Sequence, residues 1–403
     1  MTEVSTDEHG ATGGRPSRDT DAARPDDAAQ ADAVRAADVQ PEPVADPVQP
    51  DTVPMEQPDP AQPESMTAAA ETAAPAAVAH DSDEPHTIET LHSGPIVMAP
   101  REALPGTEQP IHPVGLGTTD FGWTLDARAS GLVLDRFLFS GGNLIATSDG
   151  DASGRAEFLV GSWMRARGCR DQVVLAATVG RHADNPGLAP ANLTAAVDAS
   201  LARLGTDRID LLSFDGHDET VPLEETLGAV DALILAGKVR AIGGIGFSAD
   251  RLIQARVLAA NGLPRFSTIS AKYNLLDRSH VEGSLELVAS AQGLAMLPTT
   301  PLASGFLAGV VRRRADVRRD VRGTRAGAYF SRRGNRVLAV VDRIAAAHGV
   351  RPAAVALAWL IARPVVAAPV VDATAPEHVD DLVAAGSLEL TRADLLDLDR
   401  VSS

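Results

Sequence analysis

The sequence predicts a (β/α)8 (TIM) barrel preceded by a disordered acidic tail, and two observations carry that prediction. Eight short apolar segments start near residues 114, 143, 172, 209, 239, 267, 294 and 365 and alternate with helical stretches. This is the pattern of eight parallel strands, each followed by a helix. The composition also changes sharply near residue 100. Residues 1–100 hold 20 Asp or Glu against 4 Arg and no Lys, and so carry −16 of the net −18. We therefore divide the chain into a tail, 1–95, and a barrel, 96–403. An open doubly wound sheet is the other architecture that the alternation permits.

The tail repeats Ala, Pro, Asp and Glu and has almost no aromatic or long aliphatic residues. Such a segment buries too little apolar surface to offset the roughly 1–2 kcal/mol per residue of backbone freedom lost on folding. It reads as a solvating linker, with a protein partner of the acidic tail as the alternative. Its start, MTEVSTDEHG, has neither the basic region nor the apolar run of a signal peptide. No segment reaches the roughly 18 apolar residues of a membrane span. The single Cys169 excludes an intramolecular disulfide and fits a cytoplasmic setting. Beyond the tail the chain is near neutral, 32 basic residues against 34 acidic, so no field suited to nucleic acid is expected. No residue is assigned to a metal.

Taken in order, Pro95 to Pro113 reads as a hairpin or extended lead-in from its Pro-Gly and Glu-Gln-Pro turn signals. Val114 to Thr118 is the first strand, and Leu125 to Phe139 has helical spacing closed by a Ser-Gly-Gly at 140–142. The stretch NLIATSDGDASGRAE, Asn143 to Glu157, begins as a strand, turns through small and acidic residues and enters a helix. Gln172 to Val179, Ile209 to Phe214, Val239 to Gly246, Ser267 to Ala271, Leu294 to Pro298 and Val365 to Val371 are the remaining strands. Each is short and apolar throughout, as a strand covered on both faces must be. Helices are expected at Pro190 to Leu204, Pro222 to Ala236, Ala249 to Ala260, Val281 to Ala291, Asn335 to His348, Pro352 to Ile361, Pro376 to Ala385 and Arg392 to Val401. Between Ala303 and Arg333, Gly and a run of Arg interrupt the rhythm. Such a run is most often solvated loop, and a fold over bound phosphate is the functional alternative.

Several runs in this order resemble the aldo/keto reductases: VGLGTTDFGW, SGGNLIATSDGDASGRAEFLVGSWMRARG, LARLGTDRIDLL, PLEETLGAVDALILAGKVRAIG, KYNLLDR, PLASGFLAG and TAPEHV. The similarity spans roughly residues 97 to 400. It implies a barrel that binds NAD(P)H at the carboxyl ends of its strands and reduces aldehydes or ketones with an Asp, a Tyr, a Lys and a His. In that chemistry hydride reaches the carbonyl carbon and the Tyr protonates the oxygen. The Lys, oriented by the Asp, lowers the Tyr pKa, and the His positions the carbonyl.

Carried over position by position, all four residues are substituted. The Asp falls on Ala146, the Tyr on Asp151, the Lys on Thr178 and the His on Asp215. Asp149, Asp151, Asp215 and His217 are the available replacement candidates, although a carboxylic acid there needs a strongly raised pKa to donate a proton. The bland reading is a polar, solvated barrel mouth.

The resemblance's cofactor contacts are depleted as well. Ile245, Gly246 and Ser270 stand for the residues that hold the nicotinamide amide, and Thr299 for the aromatic that stacks on it. Thr300, Leu302, Ser304 and Gly305 lie in a run that still looks like the pyrophosphate loop. Asp372 and Thr374 fall where the family has a Gly and the Arg that answers the 2′-phosphate, which favours NAD(H) over NADP(H). Lys272, two residues beyond Ser270, either points into the mouth or forms a structural salt bridge. Two functions follow as expectations. One is a catalytically degenerate barrel that binds a small molecule, a nucleotide or a protein partner. The other is an active oxidoreductase of small carbonyl compounds with non-standard site residues.

Overall fold

The computed structural model describes residues 102–215, 220–317 and 321–403. The predicted disorder of residues 1–95 lies outside them, as does His217. The strands are β1 (Gly115–Gly117), β2 (Leu144–Ser148), β3 (Val174–Thr178), β4 (Ile209–Asp215), β5 (Val239–Ile245), β6 (Thr268–Ser270), β7 (Ala295–Met296) and β8 (Val370–Asp372). All seven neighbouring pairs are parallel, in the order β7-β6-β5-β4-β3-β2-β1-β8. The two ends of that order also meet. Met296 N–H donates to Val365 O at 2.9 Å, Ala367 N–H to Met296 O at 2.8 Å and Val370 N–H to Pro298 O at 2.9 Å. The curled sheet is joined all the way round, as in a (β/α)8 barrel, and is not an open doubly wound sheet.

The helices are α1 (Ala127–Phe139), α2 (Arg155–Arg167), α3 (Pro190–Leu204), α4 (Leu223–Leu235), α5 (Ala249–Ala260), α6 (Ser284–Gln292), α7 (Val321–Gly327), α8 (Arg332–His348), α9 (Pro352–Ile361), α10 (Pro376–Ser387) and α11 (Arg392–Ser402). Local chemistry sets their ends. Asp126 caps α1 by accepting from the Ala129 N–H, and Pro190 opens α3 where its missing N–H costs nothing. Most elements match the sequence expectation to within a few residues. β8 differs most: regular pairing starts at Val370, because Pro369 has no N–H to give, and residues 365–367 bond to β7 instead. The Arg-rich break contains short turns at Ala303–Ala308 and Arg314–Asp316 and one added helix, α7. Among the described residues no single helix is long and apolar enough to cross a membrane.

Alternation along each strand sorts the core into two shells. Leu144, Val174, Leu211 and Leu297 turn inward with Ala176, Ala241 and Ala368, while Ile145, Leu175, Leu212 and Ile242 turn outward against the helices. The lead-in closes the amino-terminal end of the barrel. Ala103 and Pro110 form an antiparallel bridge that sends Leu104 and Ile111 into the inner cluster, both at most 2% exposed. The inner shell is rich in Ala where such barrels usually carry Val, Ile and Leu. Ala146 remains partly exposed, so the mouth is open to water down to that level.

His112 lies at the amino-terminal end, 1% exposed and edge-on to Phe137, with no hydrogen-bond partner on either ring nitrogen. Burial lowers its pKa to about 4, with the Val114 backbone working weakly against that shift. A histidine held neutral in the fold and charged when unfolded costs stability as pH falls below its ordinary value of about 6.5, and the cost saturates near its folded pKa. We predict that the stability difference between wild type and His112→Leu shifts in favour of the variant by roughly 2–3 kcal/mol from pH 7 to pH 4. Urea unfolding at both values checks this.

Candidate functional site at the barrel mouth

Register brings the inward residues of the mouth together. Ala146 pairs with Gly117 and Ala176, and Gly117 pairs with Asp372. One step higher, Ser148, Thr178, Ser213, Gly243 and Thr268 stand side by side from β2 to β6. Above them Asp215, Ile245 and Ser270 form the rim. Of the four positions matched to the reductase residues, Ala146, Thr178 and Asp215 thus stand on one opening, and Asp151 lies in the turn that follows β2. They present a methyl at Ala146, a hydroxyl at Thr178 and carboxyls at Asp151 and Asp215.

Asp149, although acidic and beside the opening, is fully buried and turned into the structure. Its carboxylate accepts the Gly180 N–H at 2.8 Å and the Arg181 N–H at 3.1 Å, tying the end of β2 to the loop after β3. Asp215 pairs with Arg181 at 2.7 Å. Arg181 is a cation of this mouth, and the sequence reading missed it because it lies in a loop three residues beyond the matched Lys position, where periodicity says nothing. Lys272 is engaged elsewhere: its Nζ lies 3.2 Å from Asp277 and 5.2 Å from the Tyr329 ring centre, and the Tyr329 hydroxyl donates to the same carboxylate. The salt-bridged reading of Lys272 therefore holds.

Asp151 is the most perturbed of these groups, with a pKa raised to about 6. Burial is the largest cause, and the charges of Asp372, Glu157 and Asp149 add to it while Arg181 opposes. Asp372 projects from β8 across β1, so a methyl added at Gly117 would lie only 2.4 Å from its Oδ1. The same oxygen accepts the Thr119 N–H at 3.3 Å.

The turn after Asp151 is strained. Ala152 and Ser153 both have left-handed φ, 48° and 54°, and Gly154 follows at 79°. Thr300, Ala303 and Ser304 are the other non-Gly residues with positive φ among those described, so all such residues lie in the loops after β2 and β7. Strain of about 1–3 kcal/mol per residue persists only where neighbours impose it, and it gathers at functional sites. Beneath the first turn, Glu157 is fully buried and accepts from Arg203 at 2.6 Å, while its second oxygen has no partner. Burial raises the Glu157 pKa and Arg203 counters. Arg203 also fills the space beside Gly154, where a methyl would sit 2.7 Å from its Cδ.

With this geometry in view, comparison with known proteins decides the family. The aldo/keto reductase family model matches residues 113–403. The chain belongs to the aldo/keto reductase family. It is 28% identical over 301 residues to the uncharacterized oxidoreductase YrpG of Bacillus subtilis (strain 168), covering 69% of this chain and 88% of that one. It is 28% identical over 318 residues to norsolorinic acid reductase B of Aspergillus parasiticus, covering 74% and 83%. With the aldo-keto reductase AMT2 of Alternaria alternata it shares 33% identity over 206 residues, 51% of this chain and 55% of that protein.

The family typically binds a nicotinamide dinucleotide, and the residues present here fit that group poorly. Loop 300–305 keeps its left-handed backbone at Thr300, Ala303, Ser304 and Gly305, which suits close approach of an anion. Against this, Asp372 places a carboxylate across β1 on the same rim. Ile245 offers no hydrogen bond and Thr299 no ring to stack on.

The support beneath the mouth gives a prediction. Arg203→Leu leaves the buried Glu157 carboxylate without its partner, and we expect a loss of about 3 kcal/mol in urea unfolding. Glu157→Leu combined with Arg203→Leu is expected to recover most of it.

Proposed function

We propose that this barrel no longer performs the family's hydride transfer and uses its mouth to bind a small polar molecule. One observation supports the reading: among the described residues the matched positions hold Ala146, Asp151, Thr178 and Asp215, and none of these is a phenol, an amine or an imidazole. Losing a general acid alone costs about 10²–10⁴ in rate, and the groups that stabilise charge are missing with it. What remains is rich in acceptors, from the Asp151, Asp215 and Asp372 carboxyls to the Ser148, Thr178 and Ser213 hydroxyls. Arg181, already paired with Asp215, is the opposing charge on that rim. Such a surface favours a ligand with several hydrogen-bond donors over one with phosphates. If any dinucleotide is taken, the absence of a cation at Thr374 favours NAD(H) over NADP(H).

A second reading has one specific observation in its favour. Asp151, at the position matched to the proton-donating Tyr, has its pKa raised to about 6 and so carries a proton in part near neutrality. An active oxidoreductase built on it would slow as pH rises above about 6, because the acid form is lost there.

The experiment is NADH and NADPH consumption by the full chain with a panel of aldehydes and ketones from pH 5 to pH 8. We expect no consumption above the protein-free rate. Turnover that falls above about pH 6 and disappears in Asp151→Asn would overturn the proposal in favour of the second reading.

A further inference from the structure

A cleft of about 530 Å³ lies between α8 and α11, and none of the mouth residues lines it. The two helices run antiparallel, since Arg333, Arg343 and His348 of α8 meet Ser402, Asp397 and Asp394 of α11 in turn. One stripe of each helix faces the cleft, Arg336, Val340 and Arg343 from α8 and Asp397, Arg400 and Val401 from α11. Spacings of three and four residues keep each set on one helix face.

The two ends of the cleft differ in charge. At one end Arg343 is engaged, 2.6 Å from Asp397. Toward the other, Arg336 and Arg400 are exposed, and among the described residues neither makes a hydrogen bond or an ion pair. Arginines around them are occupied. Arg333 donates to the carbonyls of Leu276 and Ser402, Arg312 pairs with Asp342 at 2.6 Å, and Arg278 and Arg363 share Asp399. Val340 and Val401, both half-buried, supply the apolar part of the lining.

The α11 wall is anchored independently of any ligand. A Thr391–Asp394 capping box fixes its start, and near its end Asp399 accepts from the Trp359 indole at 3.0 Å and from Arg278 at 3.2 Å. Arg400 therefore projects from a fixed helix, and binding need not order the backbone. Two guanidiniums that line one cleft without an acid repel each other, and an anion shared between them removes that repulsion. Their planar, paired N–H donors match the oxygens of a phosphate, and the valines favour carbon beside it.

We propose that the α8–α11 cleft is a second binding site, for a soluble phosphate monoester whose phosphate lies between Arg336 and Arg400 and whose carbon part rests on Val340 and Val401. Its volume lies within the roughly 300–1,000 Å³ of small-molecule sites. The site is independent of the mouth and opposite to it in character: the mouth offers acceptors, and this cleft offers cationic donors.

Calorimetric titration of the full chain with phenyl phosphate and with inorganic phosphate, at pH 7 and fixed ionic strength, tests this. We expect one saturable site for phenyl phosphate, with inorganic phosphate weaker because it leaves the valines uncovered. Arg336→Gln and Arg400→Gln should each weaken phenyl phosphate roughly tenfold or more. Arg392→Gln, which removes an exposed charge from the far end of α11, should leave the affinity unchanged. No saturation at millimolar phenyl phosphate overturns the proposal, and so does an equal loss in Arg392→Gln, because net charge alone would then account for binding. Co-sedimentation with phosphatidic acid vesicles in the absence of phenyl phosphate binding also overturns it, in favour of a membrane surface. If one of the two cleft arginine variants fails to fold, the other decides: unchanged affinity overturns the proposal.

Discussion

Parallel strands joined all the way round must turn alternate residues inward, and this constraint determines what the mouth contains. A single β2 strand shows it. Leu144 and Ala146 face in, Ile145 faces the helices, and Ser148 reaches the rim beside Thr178. The register is fixed by hydrogen bonds to β1 and β3, so no slide of one residue could restore an acid or a phenol to the matched positions without sending Ile145 into the barrel.

The same constraint explains how the mouth is ordered. Asp149 is spent on backbone amides after β3, and Glu157 with Arg203 supports the turn from below. Asp372 enters from β8 because Gly117 leaves room above β1. These groups form a polar rim around Asp151, whose pKa is raised first by burial and then by the charges of Asp372, Glu157 and Asp149.

Much of this was legible in the sequence, for physical reasons. Strands covered on both faces must be apolar throughout, so all eight were readable. Other features left no signal. The late start of regular pairing in β8 depends on Pro369 lacking an N–H in a strand whose edge closes the barrel. The left-handed turn at Ala152 and Ser153 is hidden because neither residue is glycine, and helix α7 because its Gly and Arg content looks like loop. Arg181 reaches Asp215 through a loop direction that no periodicity encodes. Asp149 looked like a candidate for chemistry, and only its burial shows the carboxylate turned toward amides.

We propose that the mouth is an acidic, acceptor-rich site that takes no dinucleotide. Equilibrium titration of the full chain with NADH and with NADPH, followed by nicotinamide fluorescence at pH 7 and low salt, tests it most directly. The account predicts no saturable enhancement into the millimolar range. Saturation with a micromolar Kd would contradict it.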